Sequence, residues 1–350
     1  MDCTIPNRTG VRRLSLRAGM ALSYGVLALV AFTAGCDEPP RGTPDPVSTE
    51  VAFRLPEKDL IPEGIAFDEV RRSFFVSSVY KAKIVEVDEA TGTSRDFFGE
   101  RQHGFWGGVG LEVDPERRIL WAASAMGDQT RNFVPEEDGL SGLFKFSLED
   151  GSLIKKYTLD NTPEKHLLND LVVAQDGTVH ITDTLTASVY VVSPDEDELE
   201  LYLRSEDIAY PNGICLSPDE EILFVANDRG IASVSRSDKS IRWLDLPNGV
   251  RTDGIDGLYF YRSSLVAVQN HKGLNRVARF HIDESLEKVL EVEVLLEDHP
   301  SFDIPTTGVI VDGVLFVIAN SQLRRYDENR RLLPLEELHE PVILRIPLGN

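Results

Sequence analysis

Cysteine is scarce in this 350-residue chain, which carries Cys3, Cys36 and Cys215 alone. Two of the three fall within or beside an N-terminal export-type segment, so the domain beyond it holds one thiol and no internal disulfide. Cys215 sits on the apolar run GICLSP and reads as a core residue rather than a nucleophile. Helical periodicity is nearly absent, which argues against bundle and α/β architectures. Basic residues are outnumbered, 36 Lys and Arg against 58 Asp and Glu, for a net charge of −22. That balance argues against a nucleic-acid partner and against a polybasic membrane-binding face. No G-x-S-x-G phrase occurs and the domain lacks a nucleotide-cradling glycine loop, so no serine-nucleophile elbow or nucleotide site is expected.

What is present begins with the leader. Arg8, Arg12, Arg13 and Arg17 precede an apolar stretch over residues 18–34, and Ala34 and Gly35 precede Cys36. This is the form of a secretory signal, slightly short for a membrane span. The phrase FTAGC further resembles a bacterial lipoprotein signal in which Cys36 becomes the lipidated first residue. Residues 1–35 are therefore expected to be removed. Residues 36–52, rich in proline and acidic side chains, are expected to form a tether, and 53–350 one large β domain. The expected location is the bacterial cell envelope, outside the cytoplasm, anchored to a membrane through the N-terminal lipid.

Within the domain a short motif recurs: a small or polar residue, then in most copies a glycine, then an apolar strand. Its six anchors are Glu63, Val109, Asn169, Asn212, Asp256 and Thr307, spaced 46, 60, 43, 44 and 51 residues apart. That is the period of a β-propeller blade. Each unit reads as consecutive short strands with turn signals between them, as in LVVAQDGTVHITDTLTASVYVVS over 171–193. VAFRL at 51–55 and VILRIPL at 342–348 are unpaired β runs at opposite ends, suited to completing one last sheet. The expected fold is all-β, a six-bladed β-propeller with a central divalent-cation site. Equivalent positions on innermost strands converge on the axis, so Glu63, Asn169, Asn212 and Asp256 would supply two carboxylates and two amide oxygens there. An oxygen-only set of that kind suits a hard cation, most simply calcium, with another divalent cation as the alternative. The polar segment 127–142 in the second unit reads either as a cover for one mouth of the channel or as a surface excursion. Trp106, near the same mouth, is a candidate substrate contact.

The phrases PEGIAF, LLNDLVVAQDG, YPNGICLSPD and DGIDG resemble those of the regucalcin/gluconolactonase family, with wider kinship to paraoxonase-like and strictosidine-synthase-like six-bladed propellers. The resemblance implies a channel cation that polarises a lactone or related ester. It implies metal binding by Glu63 and Asn212, and a place for Asn169 near metal or substrate. It implies an aspartate that binds metal and serves as catalytic base, for which Asp256 and Asp253 compete. Asp256 is preferred because its offset to Asn270 equals that from Asn169 to Asp183, 14 residues. Val109 stands where paraoxonase-like members carry a channel histidine. Leu167 stands where regucalcin-like lactonases carry a basic residue, with His166 one position away as a candidate substrate contact. Asp170, Asn227 and Asp183 are candidate supporting partners, and Asn270 and His271 candidate channel contacts. The implied activity is calcium-dependent hydrolysis of a small neutral lactone or ester. The competing reading is a membrane-tethered, non-catalytic propeller that binds a partner and holds a structural calcium.

Overall fold

The computed structural model describes residues 49–349, so the leader, Cys36 and most of the expected tether lie outside the described residues. Six four-stranded sheets follow one another, five of them built from consecutive strands. Their inner strands are Pro62–Asp68, Gly107–Asp114, Leu168–Val173, Ile214–Leu216, Ile255–Tyr261 and Gly308–Val311, taken below as the inner strands of blades 1 to 6. Blade 6 closes the ring. Its outermost strand is Glu50–Arg54, paired antiparallel with Val342–Pro347, which in turn joins Val314–Ile318 and Gly308–Val311. Among the described residues the first strand thus begins at Glu50, inside the stretch expected to be tether.

Blades stack face to face, so strands toward the middle of a sheet are buried on both sides, while outermost strands such as Leu199–Arg204 and Val289–Glu297 keep exposed positions. Each of the six apolar clusters lies at one blade boundary. Phe75, Ile84 and Phe98 of blade 1 meet Leu120 and Phe144 of blade 2. Val189 of blade 3 meets Leu223 of blade 4, and Phe224 of blade 4 meets Leu265 of blade 5. Fully burying one such side chain stabilises by about 1.5–3 kcal/mol. The alternating strand Lys83–Asp88 shows the consequence for polar positions. Lys83 and Glu86 are buried, Lys83 bonded to Glu57 and Asp96 and Glu86 to Arg71 and Arg95. Cys215 is buried in the blade 4–5 cluster, and burial pushes its thiol well above the ordinary value, which suits an inert core residue.

At the axis the inner strands come close enough to need glycine. A Cβ on Gly64 would lie 2.1 Å from the carbonyl oxygen of Val109 on the next inner strand. On Gly110 it would lie 2.4 Å from that of Asn169, and on Gly213 2.4 Å from that of Asp256. Hydroxyls stitch the same seam. Ser77 Oγ accepts from Gly64 N–H and donates to the Val109 carbonyl at 2.6 Å, and Thr182 Oγ1 donates to the Asn212 carbonyl at 2.8 Å. Thr306 and Thr307 donate to the Glu63 carbonyl, joining blade 6 to blade 1. Gly64→Ala is therefore expected to cost about 1–3 kcal/mol through overpacking of backbone on backbone. Gly127→Ala, where an added Cβ meets nothing within 4 Å, should stay within about 0.5 kcal/mol. Denaturant unfolding of the two variants checks this, and equal effects would contradict it.

Candidate functional site

The recurring motif marks a β-bulge. In blade 1, Glu63 and Gly64 lie between the pairs Pro62–Ser78 and Ile65–Val76, so two residues oppose the lone Ser77. The same two-against-one step holds Val109 and Gly110, Asn169 and Asp170, and Asp256 and Gly257. A bulge bends its strand and re-aims a side chain, here at the start of the inner strands of blades 1, 2, 3 and 5. In blade 4 Asn212 sits just ahead of the strand, its N–H bonded to the Ala226 carbonyl.

Glu63, Asn169, Asn212 and Asp256 consequently line one cavity of about 330 Å³, together with His166, His271 and Val109. Among the described residues seven buried side-chain polar atoms lack a hydrogen-bond partner. Four of them are acceptor oxygens of this constellation: Glu63 Oε2, Asn169 Oδ1, Asn212 Oδ1 and Asn270 Oδ1. The amide orientations follow from their NH₂ groups. Asn169 donates to Thr184 Oγ1 at 2.9 Å and Asn212 to Asp256 Oδ1 at 2.8 Å. Asn270 donates to Asp256 Oδ2 at 2.5 Å and to the Pro305 carbonyl at 2.7 Å. With every amide nitrogen engaged, the amide oxygens are left without a donor. Among the described residues no group of three or more His, Cys, Asp and Glu side chains is placed to hold a metal ion. The donor set here is of another composition, carboxylate plus amide, and its orphaned oxygens fit a hard cation.

The electrostatics lean the same way. Burial, then the charges of Asp256 and Asp170, push the Glu63 carboxyl well above the usual range. Burial also raises Asp256, against the opposing pull of the Asn270 bond, the neighbouring His271 and the Asn212 bond. No lysine or arginine offsets either group. Asp170 occupies the place that glycine holds in the other bulges. Burial raises it to about 7, although the Leu171 and Ile214 N–H groups pull it down. It lines a second cavity of about 310 Å³, bordered by inner-strand residues on the far side of the bulges, with Glu112, Cys215 and Tyr259.

The remaining sequence candidates separate. His166 lines the first cavity, with Nδ1 2.5 Å from Asp183 Oδ2. Asp253 does not line it: its carboxylate is taken up by Arg251 at 3.0 Å, which holds it below the ordinary value. Trp106 is also outside the lining, because its ring packs edge-on to Phe144 and under the Lys156 ammonium. Asn227 bonds locally, to the Val225 carbonyl and Arg229 N–H. The 127–142 segment contributes Gly127, Gln129, Thr130, Asp138 and Gly139 to the cavity wall, so it borders this mouth. Gln129 bonds across to the Leu323 carbonyl and accepts from Tyr326, tying the segment to blade 6. Asn270 is the residue that sequence reasoning underweighted. Its signal was the shared 14-residue offset from the anchor, the distance from a bulge to the end of the second strand.

Comparison with known proteins agrees with this architecture. Residues 61–239 match the family described as the SMP-30/Gluconolactonase/LRE-like region, and the chain belongs to that family. No curated protein sequence matches it. Among solved structures, a gluconolactonase from Xanthomonas campestris is similar, with TM-score 0.58 and 17% identity over 86% of this chain and 89% of that one. A luciferin-regenerating enzyme aligns with TM-score 0.59 and 12% identity, over 86% of this chain and 95% of that one. A virginiamycin B lyase from Staphylococcus aureus aligns with TM-score 0.54 and 15% identity, over 78% and 82%. At such identities the likeness is one of fold.

A carboxyl raised in the folded state keeps its proton while the unfolded chain ionises. Stability is therefore lost as pH rises from the unfolded value through the folded one. Glu112 is raised from 4.5 to about 8, by desolvation and then by the charges of Asp170 and Asp114. Glu112→Gln should accordingly raise Tm by a few degrees at pH 8 and leave it nearly unchanged at pH 4.5. An equal shift at both values, read by thermal melts, would contradict the assignment.

Proposed function

We propose that this protein is a calcium-dependent hydrolase of a small neutral lactone or related ester, held at the bacterial envelope by a lipid on Cys36. The observation that carries the reading is the set of orphaned oxygens on Glu63, Asn169, Asn212 and Asn270, gathered with Asp256 beside a cavity large enough for a small ester. Glu63, Asn169, Asn212 and Asp256 would hold the cation, with Asn270 orienting Asp256 and adding its own oxygen. A calcium ion held there supplies positive charge for the oxygen of a substrate carbonyl. The protein's own part is to bind and enclose. Val109, Leu167 and Leu185 offer apolar walls, and the 127–142 segment narrows access for water. Asp256 accepts bonds on both carboxylate oxygens, so its role here is to hold the cation and fix Asn212 and Asn270. Family membership and the gluconolactonase of similar fold support the reaction class.

A non-catalytic tethered propeller with a structural calcium remains the second reading. It is favoured by the position of the donors, which lie at the seam where inner strands of blades 1, 3, 4 and 5 meet. Turnover of a lactone and aryl-ester panel separates the two. The metal-stripped protein should be inactive and calcium should restore it. Asn270→Ala should weaken calcium binding by roughly 10–100-fold, as loss of a partner that orients a ligand does. Stoichiometric calcium binding with no turnover of any panel member would favour the structural reading.

A further inference from the structure

Asp183 ends the second strand of blade 3, Val179–Asp183, and is fully buried. Four donors surround its carboxylate. Leu167 N–H and Leu185 N–H reach Oδ1 at 3.0 and 3.2 Å. Thr186 Oγ1 and His166 Nδ1 reach Oδ2 at 2.7 and 2.5 Å. A carboxylate acting as acceptor on all sides requires His166 Nδ1 to carry a proton, which in a neutral imidazole leaves the lone pair on Nε2. The main chain of His166 is held by its N–H donating to the Gly139 carbonyl at 3.0 Å, and the ring packs edge-on to Tyr190, 6.2 Å between centroids. His166 lines the cavity with Asn169 and Asp256, and Nε2 has no hydrogen-bond partner among the described residues.

Of the other bases near this mouth, Glu63 keeps an orphaned oxygen but is given to the cation in the reading above, and the rest are engaged or unsupported. Asp256 accepts two amide bonds, Asp253 is paired with Arg251, and Asp138 is paired with Lys165 at 2.5 Å. His271 lines the cavity but is exposed and has no carboxylate partner among the described residues. The charged and titratable groups around His166 are Asp183 and Tyr190 on its own blade, with Arg204 and Glu164 behind the tyrosine. Lys165 and Asp138, paired with each other, line the same cavity, as do Glu63, Asp256 and His271.

We infer that His166, its tautomer set by Asp183, is the group that accepts and returns the proton in this site, an assignment that rests on the hydrolase reading above. In the first step a water oxygen bonds to the ester carbonyl carbon, the carbonyl π pair moves onto the carbonyl oxygen, and one of the water's protons passes to His166 Nε2. In the second, the pair on the carbonyl oxygen re-forms the double bond, the bond from that carbon to the ester oxygen breaks, and the proton passes from Nε2 to the departing oxygen. The ring ends neutral, no electron changes hands, and hydroxy acid leaves. Asp183 acts as a positioning residue: it holds the tautomer and offsets the transient imidazolium charge.

The test combines turnover with two readouts of the imidazole itself, on the calcium-loaded protein. In the wild type, ¹⁵N chemical shifts should show His166 protonated at Nδ1, and carbethoxylation mapped by peptide mass spectrometry should mark its Nε2. His166→Ala should lose on the order of 10²–10⁴-fold in kcat with calcium affinity unchanged. Added imidazole should restore part of that loss, which a packing role would not allow. Asp183→Asn should lower kcat more than it alters KM and shift the histidine tautomer. His166→Gln with near wild-type turnover would overturn the assignment, as would an Nε2-protonated or unreactive His166. If the calcium-loaded wild type hydrolyses no member of the panel, the hydrolase reading fails by itself. In that event carbethoxylation of His166 still supports a base open to the cavity, and its absence overturns one.

Discussion

The structure turns on how closely its inner strands approach at the axis. Gly64, Gly110 and Gly213 each let a neighbouring strand's carbonyl come within the space a methyl group would fill. In blades 1, 3 and 5 bulges accompany that approach, and they aim Glu63, Asn169 and Asp256 inward. The result is a buried set of oxygens with no lysine or arginine to balance Glu63 or Asp256. Burying an unpaired carboxylate is costly, and the group responds by taking a proton or a cation. The close approach of the inner strands and the chemical character of the site therefore have one origin.

Much of this was legible in the sequence because the bulge has a local signature. A glycine after five of the six anchors reports close backbone approach, and the spacing reports the blade, so six blades and the two closing strands could be read directly. The face-to-face stacking of blades was less visible. The alternation of KIVEVD suggests an exposed face, whereas Lys83 and Glu86 lie buried in ion pairs formed by distant residues. Asp170 was readable as a departure, since it stands where the pattern places glycine. Its consequence, a raised carboxyl bordering a second cavity, depends on the burial created by neighbouring blades.

Side-chain roles were legible only where an anchor fixes them. Asp256 and Asp253 are three residues apart in a DGIDG phrase, and sequence alone left both open as the ligand or base. The bulge at Asp256 and Gly257 turns one inward, and Arg251 claims the other. Trp106 looked like a rim aromatic, yet packing against Phe144 and Lys156 keeps it from the cavity. The pairing of His166 with Asp183 spans 17 residues and crosses from a loop to a strand end, so no local pattern announces it. Asn270 became informative through its partner Asp256, which orients the amide and leaves its oxygen unpaired.

The central claim is that the orphaned oxygens at the axis bind a hard cation. The most direct measurement is an anomalous-difference map from crystals grown with calcium. The account predicts one peak at the axis, within about 2.3–2.6 Å of Glu63, Asn169 and Asn212 oxygens. Density for water alone at that position, with calcium in excess, would contradict it.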